Sequence, residues 1–283
     1  MTALEVSPLR RASWSGLSAL AALFMLTVRQ HTHGRRLLVL GVLYLLPCVL
    51  ALILRNLARP APGDALELAL VFILLPHGLA PLTALLYAAG VVSDEVEEQT
   101  LTYLLLRSVP RWQLYLTKLL ATMCLTSTLV AFGVMALYLA IYAGTPEFWD
   151  EALPRAGRTV VVMALAQVGY CSLFGFMGLI TRRSLLAGII YIVAIEGVLA
   201  NINFVGRALT VVYYVRTLTL RWLDLPPEEL RTCKVTWSMD DLEKLPSSGE
   251  CVLILLGVGL VVSVLSALSF ARTEFRMKTP GSD

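Results

Sequence analysis

The sequence predicts an all-helical (all-α) integral membrane protein with six transmembrane helices, and three observations carry that prediction. Of its 283 residues 57% are hydrophobic and only 15% charged, a balance far from that of soluble domains. Apolar runs at about 37–54, 66–92, 119–143, 159–181, 184–200 and 251–270 approach the ~20 residues that a helix needs to cross hydrocarbon. None of these runs alternates as the strands of a membrane barrel do, whereas a helix satisfies every backbone group within its own segment.

Positive charge orients the spans. An even number puts both termini on one side, with Arg10, Arg11, Arg29, Arg35, Arg36, Arg107, Arg111, Lys118, Arg182, Arg183, Arg272, Arg276 and Lys278. The opposite side holds Arg55, Arg59, Arg155 and Arg158 in short loops, plus a connection at 201–250 whose charges nearly balance. The richer side is expected to be cytoplasmic, with both termini there.

Residues 1–36 form a cytoplasmic N-terminal segment ahead of a transmembrane domain at 37–283. The stretch LRRASWSGLSALAALFMLTV has the basic flank and short apolar core of a secretory signal, but no small-x-small cleavage site follows it. Residues 15–31 therefore read as an interfacial helix on the cytoplasmic leaflet. His31 and His33 have no cysteine or carboxylate nearby, so they read as a solvated polar turn and no metal site is expected.

In span two Glu67 is expected at the external interface. His77 lies between Pro76 and Pro81, where proline frees backbone groups for other partners; it reads as an interhelical hydrogen-bonding residue rather than a proton relay. Glu196, toward the external end of span five, could line a pathway, contact Arg207 or cap a helix break at Gly197, with structural pairing ahead of substrate contact. In the external segment 201–250, residues 203–223 mix aromatic and basic residues. Arg207, Arg216 and Arg221 leave no uninterrupted apolar stretch of 18 residues, so a helix or re-entrant piece at the outer interface is expected rather than a seventh crossing. Residues 224–250, with Pro226–Pro227 and several acids, read as a solvated loop. Cys48, Cys124 and Cys171 fall within spans; Cys233 and Cys251 are candidates for a disulfide on the oxidising side, and spacing alone leaves their pairing open.

The hinge at 93–118 is the most informative stretch. Gly90 can end span two and Ser93 can N-cap a new helix. Asp94, Glu95, Glu97 and Glu98 then populate its first turns, where acids suit the positive end of the helix dipole. After Thr100, Leu101, Leu104 and Leu105 share one face while Tyr103 and Arg107 turn away. Pro110 stops this short helix and suits the start of the next, which brings Arg111, Trp112 and Lys118 to interfacial depth. A solvated loop has no need of a leucine face, and a helix resting on lipid is usually basic rather than opened by acids.

The string EVEEQTLTYLLLRSVPRW, followed by Lys118, resembles the signature of the type 2 ATP-binding-cassette (ABC) transporter permeases. Glu95 and Glu97 fall on that family's glutamates, Thr100 and Leu101 on its Thr-Leu step, Leu104 and Leu105 on its leucine pair, and Pro110, Arg111 and Lys118 on its turn and lysine. Gln99 stands where the family commonly has Gly, and Ser108 where it often has Pro. The resemblance implies the permease subunit of an exporter, multi-pass in the cell membrane (bacterial inner or plasma membrane), paired with a second permease subunit as a homodimer or heterodimer. It also implies a separate ABC ATP-binding subunit that binds ATP and Mg and onto which the hinge docks as a coupling helix.

The chain itself is expected to be no enzyme and to hold no cofactor. The sequence contains no G-x-x-x-x-G-K-[ST] phosphate cradle, nor any Gly-Lys pair. Membrane lipid is an expected partner and nucleic acid is not. Two other classes fit less well. An ion-coupled secondary transporter would show internal repeats and several intramembrane charges, but no repeat is evident and Glu196 is the one strong acid. A membrane-embedded enzyme needs reactive side chains gathered at one depth, and the sequence shows no such cluster.

Overall fold

The computed structural model describes residues 8–57, 63–92, 110–181, 183–201, 205–223, 231–232 and 245–272. After α1 (Pro8–His33) come six helices long and apolar enough to cross a membrane: α2 (Arg35–Leu57), α3 (Gly63–Val92), α4 (Arg111–Tyr142), α5 (Phe148–Ile180), α6 (Ser184–Asn201) and α8 (Ser248–Arg272). Between the last two lies α7 (Val211–Trp222). Among the described residues there is no strand. All six expected spans are present, and the first turns of α4 and α5 begin well before their apolar runs.

The bundle has two ends, set by connectivity. At the hinge end lie the end of α3, the starts of α4 and α6, the end of α5 and the α1–α2 junction at Gly34. The far end carries the α2–α3 and α4–α5 connections, the latter turning through Gly144 at φ +83, a left-handed conformation that glycine adopts without a Cβ penalty.

The helices α3, α4 and α5 form the centre, with Val71, Leu75, Tyr115, Val134, Leu137, Tyr170 and Phe174 wholly or almost wholly buried. Close backbone approach helps: a Cβ added to Gly178 of α5 would sit 2.5 Å from the Ala89 carbonyl of α3. At the far end a polar clamp joins the same helices. Glu67, fully buried, accepts hydrogen bonds from Tyr138 (2.8 Å), Tyr142 and Arg155 (3.0 Å), and Arg155 also pairs with Glu151. Glu67 is thus a buried tie between helices near the start of α3. A carboxylate in such a place is tolerable because each of its oxygens is hydrogen-bonded.

By contrast α2, α6 and α8 leave much apolar surface uncovered by this chain, including Leu38, Val42, Leu186, Ile190, Leu253 and Leu260. Such surface suits contact with lipid or with further transmembrane helices. The helix α1 packs along α4, with Leu23 and Thr27 buried. His31 bonds Thr122 at 3.2 Å and meets the Tyr87 ring edge-on at 4.9 Å. It is therefore packed between helices rather than part of a solvated turn.

α7 is a re-entrant piece. Its 12 residues make about 18 Å of helix, well short of the ~30 Å hydrocarbon layer. Val211 lies over Gly169 of α5, where an added methyl would meet it at 3.4 Å. At the other end the Trp222 carbonyl accepts from Arg158 of α5 at 2.8 Å. The chain from 211 to 222 therefore runs beside α5 from 169 back to 158, starting deep within the bundle and rising to the far end. It is buried from Val211 through Leu220, deeper than a helix lying at an interface.

Candidate functional site

Two places gather the residues singled out in the sequence: the hinge end and a polar cluster deep in the far half. At the hinge, Glu95, Glu97, Glu98, Thr100, Leu101, Leu104 and Leu105 lie outside the described residues, as do Gly-to-helix details such as the Ser93 cap. Its flanks are described. The helix of α3 is interrupted at Ala89 and resumes to Val92. Pro110, exposed and extended at φ −61 and ψ 141, precedes α4, and Arg111 is its exposed first residue. Lys118 is only 4% exposed and donates from Nζ to the Val91 carbonyl at 3.1 Å. Its ammonium thus meets a backbone carbonyl of α3, joining the first turns of α4 to the final described turn of α3.

Lys118→Met would keep the apolar stem and delete this charge-assisted bond, worth about 1.5–3 kcal/mol. Amide hydrogen exchange at residues 88–92 is expected to speed up about tenfold or more; an unchanged rate would show that the bond holds nothing.

In the far half, three elements meet. His77 of α3 is placed by a π-helical segment, Glu67–Leu79, that contains Pro76. Its Nδ1 bonds the Ile73 carbonyl at 2.8 Å and its Nε2 receives Arg216 Nε at 3.1 Å, with Nη2 also on the same nitrogen. A ring that accepts at Nε2 must donate at Nδ1, which makes His77 the neutral Nδ1-H tautomer. Arg216, 3% exposed, continues to the Ala200 carbonyl at 3.2 Å and Asn201 Oδ1 at 2.8 Å, both in α6. His77 is therefore an interhelical hydrogen-bonding residue, as its setting between prolines suggested.

Glu196 lies in a second π-helical segment, Ile192–Val198, and is fully buried. Its Oε1 accepts from Val211 N at 3.1 Å and Tyr191 Oη at 3.0 Å; its Oε2 accepts from Val212 N at 3.0 Å. The carboxylate thus caps α7, where two unsatisfied N–H groups and the positive dipole end meet it. Thr210 adds the ordinary N-cap bond to Tyr213 N. The buried Tyr170 hydroxyl lies next to this carboxylate without completing a hydrogen bond of its own.

Glu196 therefore caps a helix, but α7 rather than a break at Gly197. The contact with Arg207 does not form; that guanidinium stands 5.4 Å over the Tyr213 ring. The sequence marked Arg216 only as a break in an apolar stretch, and it did not single out Asn201, Tyr191 or Tyr170. A signal was present: Glu196 and Arg216 are both expensive in a membrane protein, and such groups are retained where partners satisfy them.

Cys251 is buried as a free thiol 4.0 Å from the Pro246 carbonyl, so the candidate disulfide is not formed at Cys251, and Cys233 lies outside the described residues. Among the described residues no group of His, Cys, Asp or Glu is placed to hold a metal.

A family model described as an ABC-2 family transporter protein matches residues 35–198, more than half of the chain. The protein belongs to the ABC-2 transporter family. No curated protein matches it. The match runs from α2 through the hinge to just beyond Glu196, and so includes His77 while leaving out α7 and Arg216. This ABC-2 transporter is accordingly a multi-pass membrane permease.

Proposed function

We propose that this ABC-2 transporter is the permease subunit of an exporter in the cell membrane, with both termini cytoplasmic. It pairs with a second permease subunit and is driven by a separate ATP-binding subunit that binds ATP and Mg. The hinge at 93–118 docks on that subunit, its leucine face supplying apolar contact and its acids setting register against basic residues. ATP-driven closure of the partners displaces the hinge, and substrate leaves outward between the paired bundles.

One observation supports this reading above others: the flanks of the hinge are fastened to rigid helices. Lys118 ties the start of α4 to the end of α3, and His31, Thr122 and Tyr87 tie α1 to the same pair. A force applied at the hinge then moves α3 and α4 together rather than fraying one end.

Replacing Leu104 and Leu105 by Asp is expected to abolish copurification of the ATP-binding subunit and to cut coupled ATPase activity to background. The doubly substituted chain must still run as a monodisperse species in detergent. Undiminished copurification and stimulated ATPase activity would overturn the docking assignment.

A further inference from the structure

The far half contains a mechanical arrangement that the hinge does not explain. Two of the ionisable residues that meet α7 lie in π-helical segments, His77 in Glu67–Leu79 and Glu196 in Ile192–Val198. Such turns have poorer backbone geometry than α-helix and recur at functional positions. Here they give α3 and α6 slack at the depth where α7 begins.

α6 and α7 are bound to each other several times over: Glu196 to Val211 and Val212, and Arg216 to Ala200 and Asn201. Toward the hinge end, α6 is pinned to α3 because Gly188 lies directly beneath Leu85, with no room for a Cβ. The π segment of α6 begins beyond that pinned point and itself carries Glu196, the first residue of the joint with α7. The outer part of α6 and the whole of α7 can therefore swing as one unit about the start of the π segment. Across to α3 the unit is held by the Arg216 fork on His77; to α5 it is held by apolar packing along α7 and by Arg158 on the Trp222 carbonyl, an exposed bond at the far end, and toward α8 by Arg221 on the Leu245 carbonyl at 2.9 Å.

We propose that the Arg216–His77 contact is a latch that keeps the re-entrant helix α7 seated in the bundle, and that its release lets α7 open the far half of the transport path. This rests on the permease reading above. His77 is a neutral acceptor, so the bond across the interface is weaker than a guanidinium–carboxylate fork. The carboxylate of Glu196 is instead committed to α7 itself. The carboxylate bonds thus hold the moving unit together, while the contact that holds it to α3 at depth is made to a neutral acceptor. Arg216 and His77 are positioning residues in this scheme, acting through the helix they seat.

The test reads access to α7 and needs no known substrate. Thr217, fully buried in α7, is replaced by Cys, and labelling by a membrane-impermeant maleimide is followed in sealed vesicles holding the permease with its ATP-binding subunit. The parent chain without Thr217→Cys corrects for the five native cysteines. In the resting state His77→Leu is expected to raise the labelling rate about tenfold, as a shift toward an open minor state does. His77→Gln, which restores an acceptor, should return it to within about twofold of the unaltered residue. Arg216→Lys keeps the charge but cannot reach all three acceptors, so its rate should be intermediate; it also serves if His77→Leu does not fold.

Labelling at the parental rate in monodisperse His77→Leu and Arg216→Lys would overturn the latch. So would equal acceleration in His77→Leu and His77→Gln, because that would mark general loosening rather than loss of one acceptor. ATP with vanadate should raise the rate with His77 intact to that of His77→Leu. Fast labelling of His77→Leu with no response to ATP would leave the latch standing and overturn the ATP-driven reading instead.

Discussion

Glu67→Ala is expected to lower the stability of the ABC-2 transporter by about 3–5 kcal/mol, the cost of removing one partner from a buried ion pair. Glu67 is fully buried, and its loss takes a partner from Arg155 and from the hydroxyls of Tyr138 and Tyr142, of which Tyr138 keeps Thr159 at 3.2 Å. Arg155 would retain Glu151, but that carboxylate is 64% exposed and its i,i+4 bridge offsets little. The expected order is therefore Glu67→Ala far below Tyr138→Phe, with Glu151→Ala close to the parent. Thermal unfolding at one fixed scan rate measures it, since membrane proteins often unfold irreversibly and the scan rate then matters. Equal midpoints for Glu67→Ala and Glu151→Ala would show that the far-end clamp contributes nothing beyond its surface bridge. Glu67→Gln discriminates further: one amide oxygen replaces two carboxylate oxygens that together accept from three donors, and the NH2 faces whatever met the other oxygen, so it should fall between Ala and the parent.

What the sequence made legible here was what hydropathy and charge encode along one dimension. The six spans came from apolar run length, and the hinge from charged residues between two such runs. α7 shows the limit. Arg207, Arg216 and Arg221 each break its apolar window, so it read as interfacial, yet it is buried because the cost of each polar group is met by a partner elsewhere. Arg216 finds His77 at a separation of 139 residues, and Glu67 finds Tyr138, Tyr142 and Arg155 at 71, 75 and 88. Pairings of that range are set by how the helices pack and leave no periodic trace. Glu196 was legible as an important acid but not in its role, because the helix it caps starts 15 residues downstream, beyond a turn whose path hydropathy does not specify. Lys118 is the converse: its place in the family string was readable, while the reason for a lysine there, the Val91 carbonyl of α3, needed the fold.

The two polar centres also divide labour in a way that neither shows alone. The clamp at Glu67 and the bond from Lys118 fasten α3 to α4 at opposite ends, with Arg155 adding α5 at the far end. Displacement of the hinge should then be carried the length of the bundle with little bending. α6, held to the central helices mainly by apolar contact near Gly188 and by the Arg216 fork, is the element most free to respond.

Glu196→Gln, nearly identical in shape, is expected to be almost as damaging as Glu196→Ala. The reason is the donor count around the carboxylate. Oε1 accepts from Val211 N and Tyr191 Oη, and Oε2 from Val212 N. A glutamine offers one acceptor oxygen, and its NH2 would point a donor at another donor whichever way the amide is turned. It also removes the negative charge from the positive end of α7, and with it the anion nearest to Arg216 along that helix. Each charge-assisted bond lost costs about 1.5–3 kcal/mol, and a buried donor left unmet costs about 1–3 more. Loss of two such bonds is enough to unseat the first turn of α7 while the α3–α5 body stays folded. Cysteine labelling at Thr217 should therefore rise in Glu196→Gln and Glu196→Ala alike, whereas the thermal midpoint of the whole protein falls less than in Glu67→Ala. Parental labelling in Glu196→Gln would mean that one oxygen suffices and that the backbone cap does not seat the helix; a global midpoint as low as that of Glu67→Ala would mean that α7 is part of the rigid body rather than a separable unit.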